Sequence, residues 1–149
     1  MRKSHPKYRS KEAMCKDVEI ALNSDLSYAA ISSVIDIVLW NWSGFDGKYE
    51  GCPYWSEKAM KNPGAKLIHE HLVPRSVVFK KLLDLEFPDY DQVYSLLETY
   101  CVGVVVTKEE DEHLNKIGLR QKMPSDWDGE NPWARHEAGG ITLFSESKD

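Results

Sequence analysis

The stretch Val102-Gly103-Val104-Val105-Val106-Thr107-Lys108-Glu109-Glu110 constrains the fold more than any other part of the chain. β-Branched side chains are stiff at χ1 and suit a pleated, buried strand, and this run holds four valines in five positions. Thr107 and Glu110 then form a T-x-x-E capping box, so a helix starts where the strand ends. Leu114 and Ile117 are expected to face inward from that helix, and Gly118 to end it. A strand feeding directly into an amphipathic helix is the nucleus of an α+β domain.

Around that nucleus the chain of 149 residues reads mostly as helix. Ser10 is a candidate N-cap, followed by Met14, Val18, Ala21 and Leu22 at helical spacing. A second helix begins near Ser24 or Ser27, with Ala30, Val34, Ile37, Val38 and Asn41 marking one face and Gly44 in the position of a C′ glycine. Residues 43–63 alternate Gly and Pro with aromatics and are expected to form an ordered loop with one helical turn at 56–60. A short strand enters at Leu67-Ile68 and stops before Pro74, since a residue preceding proline is driven from the helical region. Two more helices, at 76–85 and 89–100, flank Pro88, and a last short strand is expected at 141–144.

Composition narrows the class. A hydrophobic fraction of 42% with five Trp and seven Tyr gives enough apolar surface for one folded domain and excludes a disordered chain. No apolar run is long enough to span a bilayer, and the start lacks the apolar core of a signal peptide. Cys15, Cys52 and Cys101 are odd in number and far apart, which excludes a disulfide scaffold and a Cys-based zinc knuckle. A cytoplasmic protein is the expectation. The net charge of −5 is uneven: acids crowd 109–112, while positive charge gathers at 2–11, at Arg75, Lys80 and Lys81, and at Arg120 and Lys122. The first twelve residues read as a flexible basic arm able to reach a phosphate backbone, followed by one domain over 13–149.

Chemistry concentrates in two places. His69-Glu70-His71-Leu72-Val73-Pro74-Arg75 sets two imidazoles, a carboxylate and an arginine at a strand end, and Glu109-Glu110-Asp111-Glu112-His113 opens the helix after the second strand. A histidine beside a carboxylate can act as general base while the carboxylate holds a divalent cation, and an arginine can clamp a phosphate oxygen. In these residues, over 67–118, the sequence resembles the HNH (ββα-metal, His-Me finger) endonucleases. The match lies in Glu70-His71-x-x-Pro74 on the first strand and in the second strand that leads into the capped helix.

The resemblance implies a strand–strand–helix core and one divalent metal ion per site (Mg²⁺, Mn²⁺ or Zn²⁺). It implies His71 as the base that activates water, Glu70 as a metal ligand, and Asp111 or His113 as the ligand from the helix. Arg75 would touch the scissile phosphate. The family's asparagine, which steadies the base from the second strand, has no counterpart in 102–106, and two helices separate the halves of the motif. At about 100° per residue, Asp111 and His113 lie about 80° to either side of the Leu114/Ile117 stripe, so both do not reach one ion.

Each of these residues also has a plain structural reading. His69 and His71 can be paired strand histidines, and Glu109, Glu110 and Glu112 are explained by the helix dipole and the capping box. Trp127, Trp133, Arg135 and His136 can stack on bases or a sugar, but the tryptophans read first as clamps holding a turn-rich tail to the core. Two functions follow. One is a metal-dependent phosphodiesterase on DNA, ahead of RNA, with no membrane partner. The other is a catalytically degenerate member of the resembled fold, or an unrelated α+β module, that binds a nucleic acid or a protein.

Overall fold

Helix starts are set by short polar side chains that accept a hydrogen bond from a first-turn N–H. The computed structural model describes Tyr8 and residues 10–145, and five of its seven helices begin this way. Ser10 caps α1 (Lys11–Leu22) and Ser27 caps α2 (Tyr28–Trp42). Ser56, Asp89 and Thr107 cap α3 (Glu57–Lys61), α5 (Tyr90–Tyr100) and α6 (Lys108–Lys116). The exceptions are α4 (Arg75–Leu83), which follows Pro74, and α7 (Ala134–Ala138), which follows Trp133.

Four short strands form one mixed sheet in the order β2-β3-β1-β4, with β1 at Tyr54–Ser56, β2 at Leu67–His71, β3 at Gly103–Thr107 and β4 at Leu143–Ser145. β2 and β3 are antiparallel, with Glu70 opposite Val104 and His71 opposite Gly103. β1 runs parallel to β3 and antiparallel to β4. The chain is therefore an α+β domain, with helices around a small sheet and a strand–strand–helix unit formed by β2, β3 and α6.

Every residue of β3 is buried, because the sheet separates two apolar clusters. Val104 and Val106 face the main core with Leu39, Trp42, Leu97 and Leu114. Val105 faces a smaller cluster with Cys52 and Ala59. Alternation along β2 then puts Ile68 and Glu70 toward the main core, and Leu67, His69 and His71 on the opposite face. Gly103 is required where the histidines approach. A Cβ there would lie 2.7 Å from the Ser43 carbonyl oxygen and closer still to His69 Nε2.

Several sequence expectations shift. The buried stripe of α2 is Ile35, Val38, Leu39 and Trp42, and Ile37 is exposed. Ile117 is also exposed rather than inward, since α6 ends at Lys116 and only Leu114 reaches the core. Gly44 follows α2 without a left-handed conformation, whereas Gly118 has the positive φ of a terminating glycine. The expected loop at 43–63 contains β1, held by pairing to β3 and β4. The basic arm expected at 1–12 falls at 1–7 and 9 outside the described residues, and its last two positions, Lys11 and Glu12, form the first turn of α1. Among the described residues no helix is long and apolar enough to cross a membrane.

Candidate active site

β2 ends in a cleft of about 330 Å³ lined by Glu70, His71, Pro74, Arg75, Ser76, Asp111, Arg120 and Gln121. Three elements build it. β2 contributes Glu70 and His71 from its last two positions, Pro74 turns the chain into α4 and presents Arg75, and the first turn of α6 brings Asp111 alongside. Of the residues expected from sequence, Glu70, His71, Arg75 and Asp111 therefore meet. His113 does not. It lines a separate depression with Lys58, Glu109, Lys116 and Ile141. The two alternatives for a ligand from the helix are thus separated, with Asp111 inside the cleft.

Glu70 is the most constrained group. Its Oε1 accepts from Arg135 Nη2 at 2.6 Å and its Oε2 lies 2.8 Å from His136 Nε2. Both partners are almost fully buried, at 1% exposure each. Arg135 further donates to the Leu119 carbonyl at 2.9 Å and to the carbonyl of His71. Burial works against the charged form of Glu70, but His136 and Arg135 outweigh it and hold the carboxyl below its ordinary range. Arg135 Nε and His136 Nδ1 have no hydrogen-bond partner among the described residues.

His71 lies on the other face of the strand. Burial pushes its imidazole down to about 4, with the charges of Arg75 and Arg135 adding to the shift and Glu70 opposing it. The ring is therefore neutral at physiological pH, with a lone pair available. Across from it stands Gly103, which offers no side chain, so the asparagine of the resembled pattern has no positional substitute on β3. The neighbour of His71 is instead the ring of His69, centroid to centroid 6.1 Å and nearly perpendicular, with Tyr49 edge-on to His69 in turn. His69 is lowered as well, by burial first and by the charge of Lys48 second.

Asp111 makes no ion pair among the described residues. Its carboxyl is raised by burial and then by the charge of Glu70, while Arg120 acts in the opposite sense. Arg75 lies with its guanidinium carbon 3.6 Å from the centroid of the Trp40 ring. The acids at 109, 110 and 112 have other duties. Glu110 completes the capping box and accepts from Ser56 Oγ at 2.6 Å, and Glu112 pairs with Lys108.

Among the described residues no three His, Cys, Asp or Glu side chains are gathered as a ready metal-ligating group. The chemistry of the donor set still fits a hard divalent cation at the Glu70–Asp111 pair, where two carboxylates share a cleft and the charge of one raises the other. Each oxygen of Glu70 has a second lone pair, so Arg135 and His136 can orient the carboxylate as outer-shell partners while it ligates.

Sequence reasoning placed Arg135 and His136 in the tail but missed their partner, and it counted Arg120 only as charge. The dipeptide Arg135-His136 beside Trp133 was the only available signal, and a weak one, since neither residue type announces burial from sequence. Comparison of the chain with protein-family models, with characterised proteins and with solved structures gave no match.

Proposed function

We propose that the cleft at the end of β2 hydrolyses phosphodiester bonds in nucleic acid with the help of a divalent metal ion, as an HNH-type endonuclease does, with DNA the expected substrate ahead of RNA. The observation that carries this reading is the convergence of Glu70, His71, Asp111 and Arg75 in one cleft from three separate elements. His71, neutral and unencumbered, takes the proton from an attacking water. Arg75 and Arg120 supply charge-assisted donors to the non-bridging oxygens of the phosphate. Glu70 and Asp111 would hold the cation, which when bound supplies charge neutralisation at the phosphate. Arg135 and His136 keep Glu70 ionised and aimed.

Nicking of supercoiled plasmid tests this. Wild-type protein with Mg²⁺ or Mn²⁺ is expected to nick, and His71→Ala to lose about 10²- to 10⁴-fold in rate, the usual contribution of a general base. Equal nicking by both preparations would assign the activity to a contaminant and remove His71 from the mechanism.

A second reading has one observation in its favour. Glu70 already has a complete structural role as the buried anion that ties α7 to β2. A module of that kind binds nucleic acid or protein without cutting. It predicts oligonucleotide or protein binding with no metal-dependent nicking.

A further inference from the structure

Three cation–aromatic contacts in the described structure hold elements together. Lys11 sits over the buried Trp42, and Lys81 sits between Tyr100 and Trp127 while also donating to the Gly129 carbonyl. The pair of Arg75 and Trp40 is different in kind. Trp40 is 61% exposed and belongs to neither apolar cluster, so burial does not explain a tryptophan there. One face of its indole carries the Arg75 guanidinium, whose side chain lines the cleft beside His71.

We infer that Trp40 is a stacking platform for an unpaired nucleobase next to the phosphate held in the cleft, so that the preferred substrate is a single strand, flap or bulge rather than continuous duplex. This rests on the reading of the cleft as a phosphodiester site. The geometry carries the argument. A cation on one face of an indole leaves its rim and opposite face for a second flat partner, and every base has a π-face to offer. The bases of an intact duplex stack on one another and cannot present that face. The guanidinium links the two subsites, because the group beneath the indole is the one that would meet the phosphate. Arg75 and Arg120 border the cleft as donors for a phosphate, opposite the carboxylates of Glu70 and Asp111 that share it and would hold the cation. Asp36, one helical turn before Trp40 and exposed, is the opposing charge on that face.

The test is fluorescence anisotropy with Mg²⁺ in a His71→Ala background, which suppresses cleavage and keeps the cation's charge at the phosphate, with labelled oligo(dT) and a labelled blunt-ended duplex of equal length. The background protein is expected to bind oligo(dT) more tightly than the duplex. Adding Trp40→Ala is expected to weaken oligo(dT) binding by roughly tenfold or more, the size of one base–aromatic stack, and to leave duplex binding nearly unchanged. Trp40→Phe should keep most of the affinity, and Asp36→Asn should raise it. Circular dichroism melting of Trp40→Ala at the wild-type temperature verifies that the variant folds, as an exposed position permits. Unchanged oligo(dT) affinity on adding Trp40→Ala overturns the platform, and so does equal affinity of the background protein for duplex and single strand. An absence of any oligonucleotide binding also overturns it, leaving the exposed indole to a protein partner. Cleavage of the same labelled oligo(dT) by protein with His71 intact and Mg²⁺ present separates the two claims. Tryptophan-dependent binding without cleavage sinks hydrolysis alone, and cleavage with tryptophan-independent binding sinks the platform alone.

Discussion

A carboxylate with both oxygens held by basic side chains is costly to disturb. Removing one partner of a buried ion pair leaves an uncompensated charge, at a typical cost of about 3–5 kcal/mol, whereas removing both is far milder. Arg135→Met should therefore lower unfolding stability in urea by about 3 kcal/mol. The double variant Glu70→Gln/Arg135→Met should lose clearly less than the sum of the singles. Strict additivity would show that the contact does not couple α7 to β2. His71 gives a pH signature of known sign. Its folded pKa of about 4 lies below the unfolded value of about 6.5, so between them the unfolded chain binds more protons. Stability should therefore fall as pH drops through that window, with the loss complete below pH 4. His69 and Glu70, both lowered, act in the same direction, and Asp111, raised, acts against them. His71→Gln should flatten the slope of stability against pH between 6 and 4.5 by at most about 1.4 kcal/mol per pH unit, one proton's worth. An unchanged slope would mean that the imidazole titrates alike in both states.

At the scale of elements, the junction of β3 and α6 is the best-determined local structure. The capping box is complete: Thr107 Oγ1 accepts from the Glu110 N–H at 3.1 Å, and Glu110 Oε1 accepts from the Thr107 N–H at 2.9 Å. Thr107→Ala should cost about 1 kcal/mol in urea unfolding, the usual value of an N-cap. Glu110→Ala should cost more, because it also leaves the buried Ser56 hydroxyl without an acceptor for its proton, although its oxygen still caps α3. Equal effects would mean that the link to Ser56 adds nothing. This junction was legible in the sequence because its signals are local, with a valine run and a box spanning four residues. The same holds for Ser10 and for Ser27 as one of two candidates. β1 was not legible, since three residues amid glycine and proline carry no periodicity and become a strand only by pairing with Val104, Val105 and β4. The phase of α2 was misread for a related reason. Its sequence is apolar on nearly all sides, so Ile35 and Ile37 look equivalent until α1 and α4 choose between them.

For the whole molecule, the residues lining the cleft were readable, but the brace behind them was not. Glu70, His71 and Arg75 are neighbours in the chain, whereas helix phase leaves Asp111 and His113 as alternatives and only the fold brings Asp111 to the cleft. The clamp on Glu70 spans 65 residues to Arg135 and exists only because α7 folds back against the end of β2. The same long-range packing decides what a cation would do to the molecule. Glu70 and Asp111 belong to different elements, so an ion between them ties β2 to α6 in the folded state and has no equivalent site in the unfolded chain. A ligand that binds only the folded form stabilises it by mass action, about 2.7 kcal/mol at a hundredfold excess over Kd. In a domain of this size that corresponds to a Tm rise of roughly 5–10 °C. Mg²⁺ or Mn²⁺ should therefore raise the wild-type Tm against an EDTA control. Asp111→Asn should melt at or above the wild type without metal, because it removes the repulsion with Glu70, and should lose the metal-dependent rise. His113→Asn should keep that rise, since its side chain lies in the other depression. A rise that survives in Asp111→Asn but vanishes in His113→Asn would place the ion on the far side of α6, away from His71, and hydrolysis in this cleft would then have no cation to support it.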